Sequence, residues 1–414
     1  MVVMKKLRID GERLWRSHMD LAKIGALSNG GVCRLAASPE DGAGRDLFAA
    51  WCREAGLQLE IDQIGNMYAR RRGRRNDLPP VLIGSHLDTQ PTGGKFDGAF
   101  GVLTGLEIVR YLNDNSIDTD HPIEIVNWTN EEGCRFQPSS LGAEVYAGNV
   151  PLDEALARED LDGKRLDDEL RAINYNGRAP VTGRVAKAYI EAHIEQGPIL
   201  EEEKCPVGIV DGAMGINAYE VILTGQEAHT GTTPIDRRKD ALLGASKIAV
   251  AVNELARRYE PDGRATVAHM RIDPNVRSVV AGRVTLTSDC RHTSPDALVR
   301  MKGELQEIFQ QVARDNGLTM ESRIYWSVPA RRFDPLCVAA LAESAKEFGC
   351  AYRMLSSGAG HDAIPVSQVV PTAMLFVPSK GGLSHNEAEY TSPEELAAGC
   401  EVMLGAALKL ASAS

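Results

Sequence analysis

The run PPVLIGSHLDT is unbroken apolar from Val81 to Ile83 and then turns abruptly polar. A short apolar run with proline before it and a glycine-rich loop after it predicts a strand buried on both faces. IEIVNWTNEEG (123–133) and PTAMLFVPS (371–379) have the same form. Between the first two, FGVLTGLEIVRYLNDN places Phe100, Leu103, Leu106, Val109 and Leu112 at helical spacing. This β-α-β order predicts a largely parallel sheet with helices on its faces. Helices are also expected from Leu7 to about Ile24, from Gly44 to Ala55 and from Val338 to Phe348. LQLEIDQIGNMYARRRG reads as a strand pair turning at Gly65-Asn66. Ser392-Pro393-Glu394-Glu395 is a helix start with a capping box.

After about Val210 the pattern changes. INAYEVILTGQ alternates like a half-exposed strand, and Asp236 to Tyr259 is helical. ATVAHMRID and GRVTLTSDCRH look like antiparallel strands. Ser294-Pro295 caps a helix carrying Leu298, Met301, Leu305, Ile308, Phe309 and Val312, and LTMESRIYWSV follows as a strand. From about Pro329 the first pattern returns. The expected architecture is an α/β catalytic domain with a mainly parallel sheet, formed by 1–211 and 328–414. A smaller α+β domain, 212–327, interrupts it.

Composition narrows the function. The 414 residues exceed one compact core. A net charge of −11 argues against nucleic acid and anionic membrane as main partners. The run RRRGRR (Arg70 to Arg75) is read as a solvated loop. No apolar stretch of signal-peptide or transmembrane length follows the N-terminus, so a cytoplasmic location is expected. The eight cysteines form no CxxC pair and are expected to be reduced. Cys134 lies beside a candidate site but is read as a buried thiol, not a nucleophile.

Imidazole and carboxylate recur in polar loops, mostly just past apolar strands. GSHLDT holds His86 and Asp88, KFDGAFG holds Asp97, and WTNEEG holds Glu131 and Glu132. LSHNE holds His385, and YIEAHIEQGP holds His193 and Gln196. No single segment is decisive, but a parallel sheet makes its strand ends converge. These side chains are the usual ligands of Zn²⁺, Mn²⁺, Ni²⁺ and Co²⁺. Of two adjacent glutamates, one can bind metal while the other serves as a base. Asp97, followed by the small residues Gly98 and Ala99, suits a carboxylate bridging two metals. Asp88, two residues past His86, could orient its imidazole.

The chain resembles the M20 metallopeptidase-like amidohydrolases, in the branch of N-carbamoyl-L-amino acid hydrolases, β-ureidopropionases and allantoate amidohydrolases. GGVCRLAASPEDGAGR, IGNMYARRRG, GSHLDTQPTGGKFDGAFGVLTGLE, TNEEGCRF, HIEQGPILE, AHTGTTP, SGAGHDA and PSKGGLSHNEAEYTSPEE carry the resemblance. It implies that His86 and His193 hold one metal and that Glu132 and His385 hold the other. Asp97 would bridge them and Glu131 would be the general base. It further implies that His229 stabilises the oxyanion and that Gln196 contacts the ureido group. Arg291 would pair with a substrate carboxylate, and Gly360 would offer backbone. The inserted domain would act as a lid and dimerise, sending His229 and Arg291 toward the partner's site.

Two departures bear on the substrate. Ser278, in DPNVRSVVAG, stands where the family usually has asparagine, and Glu227 lies two residues before His229. A carboxylate beside His229 would raise its pKa if it faced the ring. His18, His121, His269 and His292 match no motif and are read as structural or solvated, and His361 as part of the site wall. The expected function is hydrolysis of the carbamoyl C–N bond of N-carbamoyl-L-amino acids by a cytoplasmic homodimer with two divalent metals per subunit. The alternatives are an allantoate amidohydrolase, a β-ureidopropionase or an N-acyl amino acid amidase. The partner in each case is a small ureido or amide compound with a carboxylate.

Overall fold

The computed structural model describes residues 7–412. The chain divides into two units, one formed by residues up to Asp211 and from Phe333 onward, the other by Gly212–Arg332.

The larger unit is built on a mixed sheet. Its order is Gln58–Ile61, Met67–Arg71, Ile123–Trp128, Val81–His86, Ala188–Ile194, Thr372–Val377 and Val207–Ala213. The four middle strands run parallel, and the outer pairings are antiparallel. Every residue of those four strands is buried, as expected of a sheet covered on both faces. Helix Ala99–Asp114 packs against Val81–His86 and against helices Gly11–Leu21 and Pro393–Leu410. It is therefore buried almost all round, Val102, Ile108 and Tyr111 included, not on one face alone.

Caps set the helix boundaries and account for the differences from the sequence pattern. The first helix is Gly11–Leu21, shorter than Leu7 to Ile24, because the Asp10 carboxylate accepts from Arg13 N–H and fixes its start. The second begins at Pro39, five residues before Gly44, with Ser38 as its N-cap. Asp240 caps Ala241–Arg258, which therefore starts after Asp236. The Ser392–Glu395 capping box is formed.

The smaller unit is a four-stranded antiparallel sheet ordered Thr319–Val328, Gly215–Thr224, Arg283–His292 and Gly263–Asp273. Helices Ala241–Arg258 and Pro295–Asp315 join it in one core containing Val221, Leu286, Ile248 and Phe309. A separate two-stranded ladder pairs Ala228–His229 antiparallel with Val279–Val280. Arg331–Arg332 pair with Gly212–Ala213, and the smaller unit runs to Arg332. Among the described residues no helix is long and apolar enough to cross a membrane. The arginine run is held by local pairs, Arg70 with Glu124, Arg74 with Asp120 and Arg75 with Asp77.

Candidate active site

The C-terminal ends of the four parallel strands carry the charged side chains, where open α/β sheets place their ligand sites. His86 is the last residue of its strand, and Glu131 and Glu132 follow the end of Ile123–Trp128. His193 lies next to the end of Ala188–Ile194, and the loop after Thr372–Val377 reaches Ser384 and His385. Asp97 precedes helix Ala99–Asp114.

The two oxygens of Asp97 face different neighbours. Oδ1 lies 3.0 Å from His193 Nε2 and 3.6 Å from His86 Nε2. Oδ2 lies 3.5 Å from His385 Nε2, which is itself 3.4 Å from Glu132 Oε2. His86, Asp97 and His193 thus form one group able to hold a cation, and Asp97, Glu132 and His385 form another. Glu131 Oε2 lies 3.5 Å from His86 Nε2, and Ser140 Oγ lies 3.4 Å from its other oxygen.

Hydrogen bonds fix which imidazole nitrogens are available. His86 Nδ1 lies 2.8 Å from the carbonyl of Asp88, and His193 Nδ1 lies 2.9 Å from the carbonyl of Ile194. A carbonyl only accepts, so Nδ1 carries the proton and Nε2 faces the carboxylates. This is the arrangement of a metal-binding histidine. His86 Nε2 is buried and has no hydrogen-bond partner. A bare lone pair among carboxylates is unfavourable unless a cation sits between them, so these residues fit a metal.

Asp88 works differently from its sequence reading. Its carboxylate stands 3.9 Å from His86 Nδ1, and only its backbone carbonyl bonds the ring. The carboxylate instead accepts the backbone N–H groups of Glu131 and Glu132, at 3.2 Å each. It therefore orients the glutamate turn, because the chain bends after His86 and points the Asp88 side chain across to the neighbouring strand end.

The electrostatics follow from burial among like charges. Burial, opposed by His86 and reinforced by Asp88 and Asp97, pushes the Glu131 carboxyl up to about 7. Burial, Asp97 and Glu131 push Glu132 well above the usual range. Asp97 goes the other way, since His193 and His86 outweigh its burial. The Cys134 thiol is raised to about 12 by burial and by Asp88, so it is not a thiolate at neutral pH.

Gly98 explains why KFDGAFG needs its first glycine. Its φ is +63°, and a Cβ there would lie 2.3 Å from the His86 ring. Only a residue without a side chain lets helix Ala99–Asp114 start this close to the imidazole.

Gln196 Nε2 lies 3.0 Å from Asp97 Oδ2 and 3.1 Å from Ser384 Oγ, while its Oε1 is buried without a partner. Gly360 is exposed with open space around it. The next residue, His361, packs its ring on His193 at 4.5 Å between centroids. Sequence reasoning missed Ser140, Ser384, Glu389 and the buried Glu191. An acidic residue inside the wholly buried strand AYIEAHI was the available signal for Glu191.

Three predicted residues belong to the smaller unit. His229 Nδ1 accepts the backbone N–H groups of Gly231 and Thr232 at 3.0 and 3.1 Å, so its proton sits on Nε2. Ser278 is exposed, at φ +67°, and its carbonyl accepts from Thr230 N–H beside His229. The Glu227 side chain lies over Gly282, and no ion pair joins it to His229. Arg291 Nη2 lies 3.3 Å from Asp289 Oδ2. The short ladder that carries His229, with Ser278 just before its second strand, adjoins the Arg283 end of strand Arg283–His292, whereas Arg291 is near the other end. Roughly 26 Å of extended strand separates Arg283 from Arg291. His229 and Arg291 therefore lie toward opposite ends of this strand.

Two imidazole–carboxylate groups sharing one aspartate, with a further buried glutamate alongside, are the equipment of a metal-dependent hydrolase. Comparison with known proteins agrees. The family model described as Peptidase family M20/M25/M40 matches residues 82–409. The chain is 44% identical over 404 residues to an N-carbamoyl-L-amino-acid amidohydrolase of Rhizobium meliloti, covering 98% of this chain and 97% of that protein. It is 33% identical over 385 residues to the allantoate amidohydrolase of Escherichia coli (strain K12), covering 92% and 94%. The crystal structure of an amidase of the hydantoinase/carbamoylase family from Burkholderia multivorans matches with a TM-score of 0.96 at 49% identity, covering 98% of this chain and 99% of that one. The chain belongs to the M20/M25/M40 peptidase family. It is a metal-dependent hydrolase acting on amide bonds.

Proposed function

We propose that this protein hydrolyses the carbamoyl C–N bond of N-carbamoyl-L-amino acids as a cytoplasmic homodimer with two divalent ions per subunit. Zn²⁺, Mn²⁺, Ni²⁺ and Co²⁺ all suit the donor set. The observation that carries the reading is the division of the Asp97 oxygens between His86 with His193 and Glu132 with His385. A carboxylate placed in this way suits the bridge of a two-metal site. The bound ions would supply Lewis acidity, polarising the scissile carbonyl and acidifying water.

The remaining work falls to the chain. Glu131 takes the proton of the attacking water and delivers it to the amino nitrogen as the C–N bond breaks. His229 donates its Nε2 proton to the carbonyl oxygen as that atom gains charge. Arg291 pairs with the substrate carboxylate. Gln196 Oε1, a buried acceptor without a partner, suits a ureido N–H. Gly360 offers backbone. The products are the free amino acid and carbamate, which falls to CO₂ and ammonia. We read His229 and Arg291 at one site as coming from different subunits, a division supported by their placement toward opposite ends of strand Arg283–His292. We assign His229 to the partner and Arg291 to the subunit that binds the metals.

The test is ammonia release by chelator-stripped protein after Mn²⁺, Co²⁺, Ni²⁺ or Zn²⁺ is restored. Metal-dependent release from N-carbamoyl-L-α-amino acids is expected. Silence there with release from allantoate or N-carbamoyl-β-alanine would move the assignment to that substrate. Ser278 is the residue to change next, since its left-handed backbone readily accepts asparagine. Gly98→Ala should weaken metal uptake at least about ten-fold, because the new Cβ displaces the His86 ring. Competition against a chelator measures this, and unchanged affinity would show that the loop yields without moving His86.

A further inference from the structure

We infer that Glu389 is a positioning residue that turns the Ser384 hydroxyl away from Asp97 Oδ2 and so keeps that oxygen open to one of the two ions. The inference rests on the two-metal reading above.

The two oxygens of Asp97 differ in their hydrogen-bonding surroundings. Oδ1 meets only His86 and His193. Oδ2 lies 3.0 Å from both Ser384 Oγ and Gln196 Nε2. Ser384 Oγ is equally 3.0 Å from Glu389 Oε2. A hydroxyl has one proton, so Ser384 donates either to Asp97 or to Glu389. Donation to Asp97 would occupy the lone pair that a cation on that side needs. Donation to Glu389 leaves it free, and Gln196 Nε2 at 3.1 Å satisfies a lone pair of the hydroxyl.

Glu389 is fixed for this task. It is buried, and its Oε1 accepts the backbone N–H groups of Phe96 and Asp97, both at 3.1 Å. Its carboxylate fills the space above Gly94, where a Cβ would lie 1.9 Å from Oε1. With Oε1 held, only Oε2 can face Ser384. Ser384 and Glu389 also flank His385, so one short loop carries a ligand of this ion and sets the partner of Asp97 Oδ2.

Glu389→Gln tests the idea without breaking the clamp. The amide oxygen still accepts the two backbone N–H groups, so the amide NH₂ must face Ser384. The hydroxyl then accepts from Gln and is driven to donate to Asp97 Oδ2. Metal-free proteins would be titrated with Co²⁺ and followed by its visible absorption, at about pH 8 where exposed carboxyls are ionised. Wild type should take up two equivalents. Glu389→Gln should bind one as wild type does and the other at least about ten-fold more weakly. Ser384→Ala, which removes the competing proton, should bind both at least as tightly as wild type. Adding Ser384→Ala to Glu389→Gln should restore the second equivalent. A purely structural role for Glu389 would not give that rescue. Equal loss of both equivalents in Glu389→Gln, no loss at all, a loss in Ser384→Ala, or failure of the double variant to recover would each overturn the inference. Fewer than two equivalents in wild type would instead overturn the two-metal reading.

Discussion

Glu131→Gln should lower turnover by about a thousand-fold while metal binding is kept. The expectation follows from where Glu131 stands. It takes no part in the division of Asp97, and the nearest imidazole nitrogen, His86 Nε2, is 3.5 Å away. Its backbone is held independently of its side chain. Asp88 accepts its N–H at 3.2 Å, and its carbonyl accepts from Ser140 N–H at 2.7 Å. The amide should therefore occupy the same place. What it loses is the ability to take a proton and give it back. Burial raises the Glu131 carboxyl above its ordinary value, and a buried carboxylate beside the site is suited to accept a proton from water and return it to the leaving amine. KM should change little, because the substrate does not use that proton in the ground state. Metal analysis together with kcat settles the role. Turnover within ten-fold of wild type would remove Glu131 as the base, and loss of an ion would make it a ligand. Glu132→Gln should show the opposite pattern, since Glu132 belongs to a group able to hold an ion.

Which parts of the fold could be read from sequence depends on how locally each was encoded. Three of the four buried parallel strands were legible because burial on both faces leaves an apolar run, as in Val81–Ile83, whereas Ala188–Ile194 was not read as a strand. Ser294 and Ser392 were legible as caps because proline follows each. Ser38 has the same serine–proline signature, but the residues after it, EDGAG, lack an apolar stripe and hid the helix start. The strand Val207–Ala213 and the short helices between Leu141 and Ala172 carry no periodicity strong enough to show. At the site, the histidines and acids that face one another stand out as charge after apolar runs. The roles of Asp88, Ser384 and Glu389 do not. They act through backbone N–H groups and a shared hydroxyl on segments far apart in the chain, and no spacing encodes such contacts. The placement of His229 and Arg291 toward opposite ends of one strand was also hidden, because it depends on the register of a long antiparallel sheet.

His229→Ala should cost about a hundred- to thousand-fold in kcat, the usual effect of removing one oxyanion donor, with metal content unchanged. The ring is preset for this task. Two backbone N–H groups occupy Nδ1, which leaves the Nε2 proton as the one to donate. The sharper measurement is mixing. If His229 serves the partner subunit's site, a dimer of one Glu131→Gln chain and one His229→Ala chain has one site with both residues intact. Random reassembly makes half of the dimers mixed, so activity should recover to about a quarter of wild type. Arg291→Ala mixed with Glu131→Gln should recover nothing, because Arg291 acts in the subunit that supplies Glu131. The strand geometry favours a difference between the two results. Recovery with Arg291→Ala and none with His229→Ala would reverse the two assignments and keep the division between subunits. Recovery in both mixtures, or in neither, would mean that one subunit supplies both residues to a site and would overturn the division between subunits.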